Sequence, residues 1–271
     1  MGNRQVLNKI IKMEELPPNW ADKIKGKKIV IATPMHDGKC CSAYLKSMLG
    51  LWPLLKSLEV EYELLSLDGC SIIELARNEM ANGFLWGDDA EYLMFIDSDM
   101  GFDPSYVPLM MYYDKDICTA PSPKKQINWK FLKKAIKAGC DDVHELEHHA
   151  CRYILDGLEH DTVFSPYEMI KMTQAGTGFT MIKREVFEEM AKSKEDKNWY
   201  KKDPREPSKY VFFRVMLGHD NFIGEDIYFS QKAVKLGFEV WLCPWMEITH
   251  VGVHEFHGNL KVVSELGESG Y

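Results

Sequence analysis

The 271-residue chain is poor in the features that mark several large protein classes. It has no C-x-x-C pair, and its seven cysteines (Cys40, Cys41, Cys70, Cys118, Cys140, Cys151 and Cys243) are odd in number. Neither a disulfide framework nor a zinc ribbon fits that pattern; free thiols in a reducing compartment do. No apolar run reaches the roughly 18 residues of a transmembrane helix, and residues 1–20 lack the apolar stretch of a secretory signal. A cytoplasmic protein with no transmembrane segment is therefore expected. Positive charge is also in short supply. With 33 Lys and Arg against 41 Asp and Glu, the net charge is −8. That excludes attraction to nucleic acid or anionic membrane through a whole-protein field and leaves only a local basic face open. No internal repeat or low-complexity tract is present. What remains, 45% hydrophobic and 27% charged residues, suits one large α/β domain.

The first hundred residues alternate between two periodicities. Ile29-Val30-Ile31-Ala32 is a short apolar run of the kind buried on both faces of a sheet, and Thr33-Pro34 ends it. Residues 41–57 carry Leu45, Met48, Leu49 and Trp52 at helical spacing, with Pro53 expected to kink or divide the helix. Residues 60–67 read as a second strand, ended by Asp68-Gly69. Residues 72–85 read as a second helix with Ile72, Ile73, Ala76, Met80 and Phe84 on one side, Ser71 as N-cap and Glu74 completing a capping box. Residues 92–96 form a third, wholly apolar strand running straight into Asp97-Ser98-Asp99.

This alternation predicts a doubly wound, mostly parallel α/β sheet, whose ligands sit outside the carboxyl ends of the strands. Thr33, Asp68 and Asp97 all stand at such ends. Further on, residues 117–120, 238–242 and 248–253 read as strands, 174–183 as a Gly-rich turn into a strand, 184–190 as the start of a helix and 222–236 as loop then helix. Residues 124–160 read as charged and helical. Residues 193–209 form a very polar loop suited to a flap.

Four groups of residues point to chemistry. Asp97 and Asp99 at a strand end repel each other unless a cation lies between them, and Mg²⁺ or Mn²⁺ prefers oxygen ligands and also binds phosphates. A D-x-D triplet elsewhere is commonly a loop or helix cap; its place here sets it apart. Glu225 and Asp226 open a helix, where acidic residues are at home, yet a carboxylate there could also act as general base. His250 lies near a strand end and is an acceptable Mn²⁺ ligand, while His254 and His257 form a separate possible cluster. Asp68 and Arg77-Asn78 are placed to meet a base, ribose or phosphate.

The order of IVIATP, Asp68-Gly69, LARNEMA, FIDSDM, AGTGFTMIKREVF and IGEDIYFSQKAVKLGFEVWLCPWMEITHVG resembles the GT-A-fold nucleotide-sugar glycosyltransferases, particularly the family-2-like group. The resemblance covers most of the chain from 27 to 252. It implies a metal-dependent transferase using Mn²⁺ or Mg²⁺ and a nucleotide-sugar donor, foremost a UDP-sugar. Thr33 and Pro34 would line the base pocket, Asp68 would contact the base and Arg77 would help hold the nucleotide. Asp97 would contact the ribose or the metal shell, Asp99 would be the main metal ligand and His250 the third metal-site position. Gly176 to Gly178 would floor the donor sugar and acceptor. Glu225 and Asp226 match the acidic pair that contacts the acceptor, with Asp226 as base. Where many members carry a second Asp, Gly69 follows Asp68, which puts base recognition in doubt.

Residues 123–129 (PKKQINW) are similar to small viral and phage glycosyltransferases, which implies a host-cytoplasm setting and an acceptor that is either a glycan or a hydroxymethylated base in viral DNA. Lys124, Lys125, Lys130, Lys133, Lys134 and Lys137 would then track phosphates, and Trp129 and Phe131 would stack on a displaced base. The expected layout is an extension over residues 1–26, the GT-A domain over 27–257 with its nucleotide half at about 27–120 and acceptor half at about 121–257, and a tail over 258–271. Rival readings are a sugar-nucleotide nucleotidyltransferase, a catalytically inactive sugar- or partner-binding module, and a metal-dependent hydrolase.

Overall fold

The computed structural model describes residues 13–87, 89–153, 157–158, 165, 167–193, 199–200, 208–218, 221–255, 257 and 261. In chain order the elements are β1 (Lys28–Met35), α1 (Ser42–Ser57), β2 (Glu61–Asp68), α2 (Ile73–Trp86), β3 (Tyr92–Ile96), β4 (Met100–Phe102), α3 (Tyr106–Tyr113), β5 (Ile117–Thr119), α4 (Trp129–Lys137), α5 (Val143–Ala150), β6 (Ile170–Met172), β7 (Phe179–Lys183), α6 (Arg184–Lys192), β8 (Trp199–Tyr200), β9 (Lys209–Tyr210), β10 (Met216–Leu217), β11 (Phe222–Ile223), α7 (Glu225–Lys235), β12 (Val240–Leu242) and β13 (Ile248–His250). Seven strands form one central sheet in the order β2-β1-β3-β7-β5-β12-β6.

Alternation along the central strands gives the sheet two buried faces. Ile29 and Ile31 of β1 join Tyr44, Met48, Leu51 and Leu55 of α1 and the apolar residues of α3 in one core. Val30 and Ala32 join Met80, Ala81 and Phe84 of α2, Phe187 of α6 and Phe229 of α7 in the other. A two-residue period with both faces covered is what a near-continuous apolar strand requires. The architecture is mixed α/β around a mostly parallel sheet.

The sheet is less uniformly parallel than the first hundred residues suggest. β2, β1 and β3 are parallel neighbours. β7 lies antiparallel between β3 and β5, and β6 lies antiparallel beyond β12. Tertiary placement decides this, because an apolar run carries no mark of its direction. Outside the main sheet β4 pairs antiparallel with β13.

Three local expectations change. Pro53 stays inside an unbroken α1; it stands on the exposed side, where a helix bends around a proline rather than breaking. α2 is capped at Ile72 without a side-chain hydrogen bond, so Ser71 and Glu74 make no capping box. Its buried face also turns from the predicted stripe: Ile72 and Ile73 are exposed, whereas Arg77, Asn78 and Asn82 are buried beside Ala76, Met80 and Phe84. Within residues 124–160 the helices are α4 and α5, separated by a turn at Gly139. Most of the expected flap, most of the expected tail and residues 1–12 of the expected amino-terminal extension lie outside the described residues.

Candidate active site

The carboxyl ends of β3, β5 and β12 and the turn that leads into β7 converge on a cavity of about 390 Å³. Arg77, Asp97, Gly176, Thr177, Gly178, Lys125, Asp226 and His250 are among its lining residues. Six of the residues given a donor-binding, metal-binding or catalytic role from sequence (Arg77, Asp97, Gly176, Gly178, Asp226 and His250) therefore meet in one place although they span most of the chain.

Arg77 is the hub. It projects from α2, buried to 4% exposure, with its guanidinium 5.3 Å from the Phe95 ring centroid. Its Nη2 donates to both oxygens of Asp97, at 3.1 and 3.2 Å. Its Nε lies 3.5 Å from Glu225 Oε1. Nε and Nη1 are buried without a hydrogen-bond partner. A buried cation with unused donors is costly.

Asp97 and Gly178 are joined by their backbones, the Asp97 amide donating to the Gly178 carbonyl at 2.9 Å. A Cβ on Gly178 would stand 2.4 Å from the Met100 methyl and 3.1 Å from Asp97 Oδ2, so glycine lets the turn into β7 pass close under Asp97. Gly176 likewise faces Asp226, whose Oδ2 would lie 3.5 Å from a Cβ there. The hydroxyl of Thr177, between them, is buried and unpartnered.

Asp226 sits in the first turn of α7, partly buried in the cavity wall. Burial, and then the neighbouring Glu225 carboxylate, raise its pKa; the Ile227 amide at 2.7 Å and Arg77 oppose this only in part. α7 is tied to the glycine turn through Ser230, which accepts from the Ala175 amide at 3.2 Å.

Asp99 and His250 are brought together by the β4–β13 pair, in which His250 is opposite Met100, and by the Val251 amide donating to the Asp99 carbonyl at 2.8 Å. His250 Nδ1 donates to the Pro123 carbonyl at 2.7 Å, leaving Nε2 turned toward Asp99 Oδ1 at 3.4 Å. Lys125 Nζ donates to the other oxygen, Oδ2. Burial pushes the Asp99 carboxyl up, but hydrogen bonds from His250 and Lys125 outweigh it and hold the group at about 2. The His250 pKa is raised, by its contact with Asp99 before all else.

The fit to a divalent cation is partial. Two ligands about 2.1 Å from one small cation lie about 3 Å apart when adjacent, so Asp99 Oδ1 and His250 Nε2 need little adjustment. The carbonyl on Nδ1 is the usual outer partner of a metal-binding histidine. Asp97 does not join them, because Arg77 takes both its oxygens. Among the described residues no group of three His, Cys, Asp or Glu side chains is arranged to hold a metal. A cation here would need phosphate or water to complete its shell.

Other predicted residues stand apart. Thr33 is fully buried, its hydroxyl 2.8 Å from that of Tyr44. Pro34 is half-buried, and Asp68 is exposed opposite Met35 at the strand ends. His254 and His257 are exposed, with His257 facing Glu255. A larger cavity of about 970 Å³ opens at the opposite edge of the sheet, but there Lys183 meets Asp114 and Lys171 meets Glu239 in ion pairs. Sequence reasoning named Lys125 only among the phosphate-tracking lysines and Asn78 only beside Arg77; it missed the pairing of Lys125 with Asp99 and the part of Asn78 and Asn82 as supports. The i, i+4 spacing of the two asparagines on α2 was the available signal for the latter.

No family model matches the chain, and no curated protein matches it. Among solved structures, the crystal structure of A197 from STIV is similar over 83% of this chain and 86% of that chain, at 17% identity and a TM-score of 0.43. A likeness at that level bears on neither chemistry nor ligand. Among the described residues, no helix is long and apolar enough to cross a membrane.

Proposed function

We propose that the protein is a glycosyltransferase that moves a sugar from a nucleoside-diphosphate donor to an acceptor hydroxyl. The observation that carries this reading is Asp226, a partly buried carboxylate of raised pKa, in the same cavity as Arg77, whose guanidinium is only partly satisfied, and His250, which is paired with Asp99. A general base, an anion-binding cation and a cation-binding pair within one cleft are the parts such a transfer needs.

In this reading the charge of the Arg77 guanidinium attracts the donor's phosphates while Asp97 and Glu225 hold its plane. Gly176 and Gly178 leave room for the sugar. Asp226 Oδ2 takes the proton of the acceptor hydroxyl as that oxygen bonds to the anomeric carbon and the bond to the diphosphate breaks. The charge spread in this oxocarbenium-like transition state is met by the same carboxylates. Asp99 and His250 would hold a Mn²⁺ or Mg²⁺ ion, which would neutralise charge on the leaving diphosphate.

A nucleic-acid acceptor has one observation of its own. Trp129 and Phe131 are 64% and 54% exposed on α4, beside the exposed Lys130, Lys133, Lys134 and Lys137. A neutral glycan could stack on the rings but makes no use of the lysines, which suit a phosphate backbone. Transfer to hydroxymethylated DNA, compared with a glycan panel, decides between them.

The test of the reaction class needs no acceptor. Nucleotide release is measured from UDP-, GDP-, CDP- and TDP-sugars, with Mn²⁺ or with EDTA, for the wild type and Asp99→Ala. Release from one donor, lost in EDTA and in the variant, is expected. Release of pyrophosphate would point to a nucleotidyltransferase instead. Tight donor binding with no turnover on any acceptor would point to a binding module, and absence of binding by every donor would sink the reading.

A further inference from the structure

The acidic corner of the cavity already contains a cation of its own. Lys125 Nζ lies 2.5 Å from Asp99 Oδ2, while His250 approaches the other oxygen of the same carboxylate. The lysine stem has a path cut for it: a Cβ on Gly252 would stand 2.7 Å from Lys125 Cδ and 3.0 Å from Cγ. The strap that carries it is tied down on both sides. The Lys124 amide donates to the Arg152 carbonyl at 2.6 Å and the Asn128 amide to the Ala150 carbonyl at 2.7 Å. Pro123, on the same strap, bridges to Tyr153 and accepts from His250. One strap thus sets both the histidine and the ammonium on Asp99.

A divalent ion between Asp99 Oδ1 and His250 Nε2 would share a carboxylate with that ammonium, only a few ångströms away. Like charges at such a range in a half-buried site repel strongly, and the carboxylate's charge cannot serve both fully. We propose that Lys125 is the resident counter-ion of Asp99, which competes with a divalent cation for that carboxylate and leaves it for the phosphates of a nucleoside diphosphate. Metal alone is then held weakly, and nucleotide and metal strengthen each other's binding, as linkage requires. Only the nucleotide half rests on the glycosyltransferase reading.

The experiment is calorimetric or spin-resonance titration of Mn²⁺ alone into the wild type, Lys125→Met, Lys125→Arg and the double variant Lys125→Met/Asp99→Asn, repeated with saturating UDP, GDP, CDP or TDP. Lys125 is exposed enough that its replacement leaves the fold intact. Lys125→Met is expected to bind Mn²⁺ about tenfold or more tighter than the wild type. Lys125→Arg stays weak because the charge is kept, and the double variant loses the gain. UDP is expected to raise Mn²⁺ affinity more in the wild type than in Lys125→Met. Unchanged or weaker Mn²⁺ binding by Lys125→Met, or a gain that survives in the double variant, overturns the proposal. If the Mn²⁺-alone results hold and none of UDP, GDP, CDP and TDP binds, the competition stands and the nucleotide-sugar reading falls.

Discussion

Asn78 holds Phe213 by both of that residue's backbone groups. Its Nδ2 donates to the Phe213 carbonyl at 2.6 Å, and its Oδ1 accepts from the Phe213 amide at 3.0 Å and the Phe212 amide at 2.7 Å. One turn on, Asn82 does the same for Tyr210. The helix that carries Arg77 thereby anchors the chain that leads, through β10 and β11, to Glu225 and Asp226. We predict that Asn78→Ala, which strands three buried backbone groups, costs about 3 kcal/mol and lowers Tm by roughly 6–12 °C. Asn78→Asp keeps the acceptor and should lose less. Thermal melts of both variants check this, and equal stability in Asn78→Ala and wild type would refute the anchoring role.

Asp226 gives opposite predictions for stability and activity. Its pKa is raised in the folded protein, so folding favours its protonated form. As pH rises from the ordinary carboxylate range through the folded pKa, the unfolded state ionises first and stability is lost, with the full loss present above the folded value. Asp226→Asn removes that loss and keeps the Oδ1 acceptor for the Ile227 amide. Its Tm at neutral pH should exceed that of the wild type, while turnover falls about 10²- to 10⁴-fold. The wild-type rate should rise with pH as Asp226 ionises, an acidic limb absent from the residual activity of Asp226→Asn. A variant that turns over normally would remove Asp226 from the reaction.

Arg77 should resist conservative replacement. Lysine offers one point charge where the planar fork reaches Asp97 and Glu225 at once. Arg77→Lys and Arg77→Met are both expected to weaken nucleoside-diphosphate binding by about tenfold or more, with Arg77→Met also lowering Tm because Asp97 and Glu225 lose their shared counter-charge. Calorimetry with UDP and a melt of each protein measure the two effects. Full affinity in Arg77→Lys would contradict the fork requirement.

Gly178→Ala tests the closeness of the glycine turn to the acidic residues. The new methyl meets the flexible end of Met100, which can turn aside, and Asp97 Oδ2, which is held by Arg77. Stability should change by about 1 kcal/mol or so, while donor turnover falls about tenfold or more because Asp97 and Arg77 shift together. A variant as active as the wild type would show that nothing binds against this turn.

The central architecture was legible in the chain because burial on both faces of a parallel sheet demands apolar runs, and 29–32 and 92–96 can serve little else. The run at 92–96 ends at Asp97, which lines the cavity, so the edge that carries the candidate site was legible too. Thr33 itself was not: its small polar side chain looks alike whether it meets a ligand or, as here, the hydroxyl of Tyr44 in the core. The direction of β7 and β6 was equally hidden, since period and composition are the same for both directions.

By itself, the sequence determined the alternation of strand and helix, the acidic residues at the strand and helix ends, and the glycines that let 176–178 pass beneath them, because each follows from local periodicity or backbone freedom. Only the tertiary structure decided which of those charges neutralise one another. Arg77 joins Asp97 to Glu225, 128 positions beyond Asp97 in the chain, and Lys125 rather than Asp97 shares Asp99 with His250. Pairing of charges depends on distance in space, and β4–β13 pairing and the strap at Pro123 set those distances.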